Sequence, residues 1–249
     1  MMMMSYFEKQ FELRYFEMNE FGEASATTML MLLEETAADH CYSIGYSLYD
    51  LIAKNVGWVL LSGVMEMDRY PLYKEKITIR TWLSSYSMIK GFRENIIFDE
   101  KGEVIGRSRG LWVFFDIEKR RPVQIFDQIK ERWSFDGTQS IDHDISSKLE
   151  VLDVANFSKK FKVNRFDTDM NEHVNNIRYL QWLMESLPKE IVDNYYLVKI
   201  EGRFITEALY DDTIISLTKG AVEDSFIHSI KIQGSTKVCA TAQTFWKKR

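Results

Sequence analysis

The chain has 249 residues, 45% of them hydrophobic and 28% charged, with a formal net charge of −5. That length allows one large domain or two small ones around a sizeable core, and the acidic balance excludes a whole-chain basic footprint for nucleic acid. Two cysteines, Cys41 and Cys239, are too few for a disulfide framework or a Cys-based metal site, and an aromatic content of 14% argues against disorder.

The chain opens with four methionines and turns polar and acidic at Glu8. No basic segment leads into an apolar one there, so no signal peptide is expected. Apolar runs such as 57–64 fall short of the ~18 residues that a membrane span needs, and a cytoplasmic protein is expected. A first helix is predicted over about 24–40, where Leu30, Leu33, Ala37, Cys41 and Ile44 recur at helical spacing. Ile77, Ile79, Thr81 and Leu83 then alternate with Thr78, Arg80 and Trp82 as in a strand. Strands follow at 92–98 and 104–115, with Asp99-Glu100-Lys101-Gly102 as the turn between them. A polar connector is read at about 117–150, with a short helical piece near 124–133. A second helix is predicted from Asn176 to Leu187, striped by Ile177, Leu180, Met184 and Leu187 and stopped by Pro188. Strands close the chain at 213–219, 226–232 and 238–246.

Each half thus runs from a short strand through a helix to a meander of antiparallel strands, an α+β layering. A tandem (double) hot-dog fold fits this order, with halves at 1–145 and 146–249. The halves also match weakly in sequence. Met18-Asn19-Glu20 precedes the first helix, and Met170-Asn171-Glu172 precedes the second. Pro71-Leu72-Tyr73-Lys74 matches Glu207-Ala208-Leu209-Tyr210. Asn19 to Pro71 spans 52 residues and Asn171 to Glu207 spans 36, so a loop of about 16 residues distinguishes the halves.

On this matching, Asn171, His173 and Glu207 face Asn19, Phe21 and Pro71. The second half carries a polar, titratable set and the first does not. The run from Arg165 to Asn176 leads directly into the second helix. In an extended segment Asp169, Asn171 and His173 share one face. Asn175 or Asn176 suits the helix N-cap, and the helix N-terminus offers N–H groups and positive dipole to a developing oxyanion. His228 reads as a core residue, and His40 and His143 gain no role. The scattered histidines lack metal-ligand spacing, so neither metal nor cofactor is implied. Met29, Met31, Leu32 and Leu33 either line an apolar tunnel beside the first helix or pack the core. The basic clusters at Lys119-Arg120-Arg121 and at Lys159, Lys160, Lys162 and Arg165 are either solvated loops or a dock for an acidic partner.

The pattern Asp169-x-Asn171-x-His173-Val174-Asn175-Asn176-x-x-Tyr179-x-x-Trp182 resembles the signature of the plant and bacterial acyl-acyl-carrier-protein thioesterases. Leu33-Glu34-Glu35-Thr36-Ala37, Met67-Asp68-Arg69-Tyr70-Pro71 and the tract 107–114 resemble the same family, so the likeness spans nearly the whole chain. It implies a double hot-dog enzyme that releases free fatty acid from acyl carrier protein, the first half holding the acyl chain and the second catalysing. It implies Asn171 and His173 as catalytic, Asp169 as their support and Glu207 as the catalytic carboxylate. In many plant members a Cys follows that Glu. Here the position is Ala208, which rules out that nucleophile.

The expected reaction is attack by Glu207-activated water on a fatty acyl thioester, with Asn171 and His173 orienting the reactants. The partner expected is acyl carrier protein, and the chain is expected as a monomer or homodimer. The alternatives are an acyl-CoA thioesterase with the same chemistry, a hot-dog 3-hydroxyacyl dehydratase, or a non-catalytic acyl-binding protein.

Overall fold

The structure is a computed structural model and describes residues 6–133, 137–168 and 174–249. The chain divides into two compact units, Met1–Ile145 and Ser146–Arg249.

The first unit begins with strand β1 (Phe7–Glu12) and a 3-10 turn at Tyr15–Glu17. Helix α1 (Ala26–Ser43) follows, starting and ending slightly later than the expected 24–40 and within the apolar stripe that reaches Ile44. Ser25 caps it, its Oγ accepting the Thr28 N–H at 3.0 Å. A short helix α2 (Leu48–Ile52), opened by a Ser47/Asp50 capping box, was not expected from periodicity, because five residues are too few to show one. Four strands complete the sheet: β2 (Val56–Met67), β3 (Lys76–Tyr86), β4 (Lys90–Phe98) and β5 (Val104–Asp116). The turn into β5 is the one read from sequence. Asp99 Oδ1 accepts the N–H groups of Lys101 and Glu103, both at 2.9 Å, and Gly102 takes φ +80°. The strands lie in the order β1-β3-β4-β5-β2, every pairing antiparallel.

The connector as far as Ile145 belongs to this unit and is not a loose linker. Strand β6 (Arg121–Pro122) pairs with the end of β5, and helix α3 (Asp127–Arg132) follows. Ile125, Ile129 and Trp133 are buried with Cys41, Leu51, Val56, Leu83 and Phe114, and Ile141 and Ile145 with Val64 and Leu111.

The second unit repeats the plan. Strand β7 (Phe157–Lys162) leads through a 3-10 turn at Arg165–Asp167 to helix α4 (Asn176–Met184). Asn175 caps α4, its Oδ1 accepting the Ile177 N–H at 2.8 Å. Helix α4 ends at Met184 with Glu185 as its C-cap, short of the expected Leu187, and Pro188 is instead the N-cap of a second short helix, α5 (Lys189–Asn194). Strands β8 (Tyr195–Phe204), β9 (Thr213–Gly220), β10 (Ser225–Ile232) and β11 (Val238–Lys248) are ordered β7-β9-β10-β11-β8, again antiparallel. Tyr179, Trp182 and Leu183 of α4 pack on Ile214, Ile230, Ala240 and Ala242 of that sheet. One helix against a five-stranded meander of this order is a hot-dog unit, so the chain has the double hot-dog fold read from its sequence.

Internal hydrogen bonds set the register between the units. Leu13 donates to Glu75 O and accepts from Lys74 N–H, both at 3.0 Å; Val163 donates to Asp212 O at 2.9 Å and accepts from Asp211 N–H at 3.2 Å. Met18 bridges Ala24 as Thr168 bridges Val174. Lys74 and Asp211 share a left-handed backbone, φ 69° and 73°. Matched residues therefore differ by 150 positions before the helix (13 and 163, 18 and 168, 24 and 174) and by 137 after it (74 and 211, 75 and 212). The first unit is longer by 13 residues between these points, not by about 16. Among the described residues no helix is long and apolar enough to cross a membrane.

Candidate active site

This register corrects the pairing of the two halves. Leu72 and Leu209 are equivalent, each accepting the N–H three residues on (Glu75 and Asp212, both at 3.1 Å). The counterpart of Glu207 is thus Tyr70, and Pro71 matches Ala208. The sequence match was one residue out here because it set Pro71 against Glu207, whereas aligning Leu72-Tyr73 with Leu209-Tyr210 gives the observed register. Five residues separate 18 from 24 and 168 from 174, so Asp169, Asn171 and His173 stand at the sequence positions of Asn19, Phe21 and Glu23. The asymmetry survives in corrected form, since the first unit has Tyr70, Phe21 and Glu23 where the second has Glu207, Asn171 and His173.

Of the four candidate residues, Glu207 is described; Asp169, Asn171 and His173 lie outside the described residues. Glu207 is half-buried in the loop between β8 and β9. Its neighbours are fixed on both sides. The N–H groups of Ile205 and Thr206 both donate to Cys239 O, at 2.8 and 3.3 Å. The Ala208 N–H donates to Tyr179 Oη at 2.9 Å, and Ala208 O accepts the Val174 N–H at 3.3 Å. Farther on, Asp212 Oδ2 accepts the Leu209 N–H at 2.8 Å. Backbone held by five such bonds presents the Glu207 side chain from a defined point.

The lead-in to α4 is tied down as firmly. Asn175 N–H donates to Asp167 O at 3.0 Å, and Asp167 Oδ2 accepts the Asn164 N–H at 2.8 Å. Arg178 lies 3.4 Å from Asp167 Oδ1 and donates to Phe166 O at 3.1 Å and Gln181 Oε1 at 2.7 Å. The first turn of α4 already uses two donors internally: the Ile177 N–H goes to the Asn175 side chain and the Arg178 N–H to Asn175 O at 2.9 Å. The Val174–Ala208 bond joins this lead-in to the Glu207 loop, so residues flanking 169–173 and the Glu207 backbone meet in one place.

Two protonation states bear on the chemistry. Burial holds the Tyr179 phenol well above its ordinary pKa; the Ala208 N–H opposes this, and the charges of Cys239, Glu207 and Asp212 reinforce it. Tyr179 is thus a neutral hydroxyl under the Glu207 loop. Burial pushes the Cys239 thiol up to about 12, with Asp212 adding to the rise, and burial also raises Cys41. Both cysteines are buried free thiols, neither in the reactive state of a nucleophile. Tyr179 stands in the family pattern read from sequence but gained no role there. Its signal was present, a Tyr three residues into α4 and a residue other than proline at 208, but neither means anything until the contact is seen.

Met31 is 44% exposed whereas Met29, Leu32 and Leu33 are buried, so Met31 does not share their environment.

Thioester hydrolases with a double hot-dog fold are the class to which this chain belongs. The N-terminal domain of acyl-ACP thioesterases matches residues 4–133 and the C-terminal domain residues 151–248, so the chain is a member of the acyl-ACP thioesterase family. Oleoyl-acyl carrier protein thioesterase 1, chloroplastic, of Arabidopsis thaliana is 29% identical over 99% of this chain and 77% of its own length. The crystal structure of an acyl-ACP thioesterase from Bacteroides thetaiotaomicron aligns with a TM-score of 0.88 at 22% identity, covering 98% of both chains. The 12:0-ACP thioesterase from Umbellularia californica aligns with a TM-score of 0.88 at 21% identity, covering 99% of this chain and 98% of its own. These two likenesses bear on the fold.

Proposed function

We propose that this enzyme hydrolyses fatty acyl thioesters of acyl carrier protein, with Glu207 as the general base. The observation that carries this reading is Glu207 itself: a half-buried carboxylate on a pinned loop, joined through Ala208 and Val174 to the lead-in of α4, where the family signature lies. The matching position of the first unit is a tyrosine, so only the second unit can supply this base.

Glu207 takes a proton from water, and the water oxygen attacks the thioester carbonyl carbon. The tetrahedral intermediate collapses with cleavage of the C–S bond. The thiolate leaves, receiving the proton then or from solvent, and the acid remains. Asn171 and His173 orient water and thioester. The helix contributes the positive end of its dipole to the oxyanion, because the Ile177 and Arg178 N–H groups are already engaged. Asp169 supports the loop. In the first unit the residue at that position, Asn19, accepts the N–H groups of Phe21 and Glu23 through Oδ1 at 2.9 and 3.1 Å. Residues 1–145 serve the acyl chain and 146–249 the chemistry.

The test is free-thiol release from a panel of acyl-carrier-protein thioesters, about C8 to C18, and the matching acyl-CoA esters. Glu207→Gln should lower turnover on the order of 10²–10⁴ with the fold intact. Wild-type turnover by that variant overturns the base, and activity confined to acyl-CoA overturns the carrier.

A further inference from the structure

The two units solve one local problem in different ways. At the matched positions Pro71 and Ala208 the carbonyl does the same work, accepting the N–H of Ala24 at 2.8 Å and of Val174 at 3.3 Å. The amide nitrogens differ. Proline has no N–H and a fixed φ, so the first unit needs no acceptor there. Ala208 is fully buried and does carry an N–H, which requires one. That acceptor is Tyr179 Oη at 2.9 Å. The residue 150 positions earlier is Met29, fully buried and without a hydroxyl. The Met29/Pro71 pair of the first unit is thus replaced by Tyr179/Ala208 in the second, beside the replacement of Tyr70 by Glu207.

We infer that Tyr179 is a positioning residue for catalysis: by accepting the Ala208 N–H it fixes the loop that aims the adjacent Glu207. The ring is itself immobile, 3% exposed and edge-on to Trp182 and Phe204 at centroid distances of 5.5 and 5.9 Å. A hydroxyl on so rigid a support sets the place of the Glu207–Ala208 peptide, and a small displacement of a reacting group is costly. Only the second unit carries this device, the unit to which Glu207 belongs. The inference rests on Glu207 being the base.

Tyr179→Phe keeps the ring and removes the acceptor. Its kcat is expected to fall about 10- to 100-fold with KM little changed, and amide exchange across 205–212 is expected to quicken. Adding Ala208→Pro recreates the first unit's arrangement by deleting the orphaned N–H and stiffening the loop. The double variant is expected to regain most of the lost kcat. Wild-type kcat in Tyr179→Phe overturns the inference, as does a loss that Ala208→Pro fails to relieve in folded protein. Should the double variant not fold, unchanged exchange across 205–212 in Tyr179→Phe alone overturns it. Glu207→Gln measured alongside separates the two ideas. An inactive Glu207→Gln with a fully active Tyr179→Phe sinks the positioning role and leaves the base standing, while an active Glu207→Gln removes the base and the positioning role with it.

Discussion

Glu94 and Arg109 form an ion pair at 3.0 Å inside the first unit, with side chains 0% and 9% exposed. The Arg109 Nε approach is too oblique to be an aligned hydrogen bond, so the contact is one of charge. Both groups have further partners. Glu94 accepts from Ser84 Oγ at 2.6 Å and from Ser140 N–H and Oγ at 2.9 and 2.7 Å. Arg109 donates to Gln139 Oε1 at 3.0 Å and His143 O at 3.1 Å, with its guanidinium over the Phe92 ring. Strands β4 and β5 thereby hold the segment 137–145 by polar bonds where burial alone would be the weaker constraint. Glu94→Ala strands a buried guanidinium and is expected to cost about 3–5 kcal/mol in chemical unfolding, with new protease sensitivity at 137–145. Ser140→Ala removes one hydroxyl donor from a carboxylate that keeps the backbone N–H of residue 140 and its other bonds, and should cost about 1–3 kcal/mol. Equal and small losses for both would show that the charge pair does not hold the segment.

Acid is expected to destabilise the protein before most carboxylates protonate. Burial lowers His228 to about 3, and burial together with the Arg93 charge lowers His40 to about 3. His228 bonds to two hydroxyls, Thr218 Oγ1 at 2.9 Å and Thr244 Oγ1 at 2.8 Å. His40 Nδ1 meets Arg93 Nη1 at 3.1 Å, and because arginine can only donate, that nitrogen is the acceptor of a neutral ring. Between pH ~3 and ~6.5 the unfolded chain binds protons at these two sites and the folded chain does not. Stability therefore rises with pH across that window and is lost as pH falls through it. Each histidine contributes a slope approaching about 1.4 kcal/mol per pH unit. His228→Gln should flatten the stability curve between about pH 4.5 and 6 by one proton's worth. An unchanged slope would mean that His228 does not titrate on unfolding.

Periodicity made most of the fold legible. Ile77, Ile79 and Thr81 declared β3 because alternate burial is written directly into residue type, and Leu30, Leu33 and Ala37 declared α1 likewise. The short pieces α2 and α5 were silent, since a single turn carries no period. The repeat was visible, yet its register was not. Met-Asn-Glu occurs at 18–20 and 170–172, an offset of 152, while the backbone pairs 18 with 168, and only hydrogen bonds distinguish a true from a chance match. Glu207 stood out as a titratable residue at a family position. Tyr179 stood in the same family pattern but gained no role, because its use depends on an amide 29 residues away.

The cysteines are expected to be spectators. Ala208 follows Glu207 where a cysteine would be needed, and Cys239 is buried with its thiol raised to about 12. At pH 8 roughly one Cys239 in 10⁴ is a thiolate, before access is considered. Iodoacetamide at that pH should leave activity intact over hours, and Cys41→Ala and Cys239→Ser should keep turnover while losing some stability. Rapid inactivation by the reagent, blocked by bound acyl substrate, would return a thiol to the mechanism.

The two N-caps offer a paired test of which unit works. Ser25 Oγ accepts the Thr28 N–H at 3.0 Å and Asn175 Oδ1 accepts the Ile177 N–H at 2.8 Å, at equivalent points of the repeat. Ser25→Ala and Asn175→Ala should each cost about 1 kcal/mol of stability. Their effects on turnover should differ. Asn175 follows Val174, whose N–H reaches Ala208 beside Glu207, and its own N–H holds Asp167 O. Loosening this lead-in moves the base relative to the segment that precedes the helix, so Asn175→Ala should lower kcat about tenfold beyond any loss of folded protein. Ser25 lies beside the Ala24–Pro71 bond of the unit with Tyr70 in the base's place, and its removal should leave kcat per folded molecule near wild type. Rate assays normalised to folded fraction decide the matter. Equal kcat losses in the two variants would mean that the caps act through stability alone and that the second unit's lead-in has no special part in turnover.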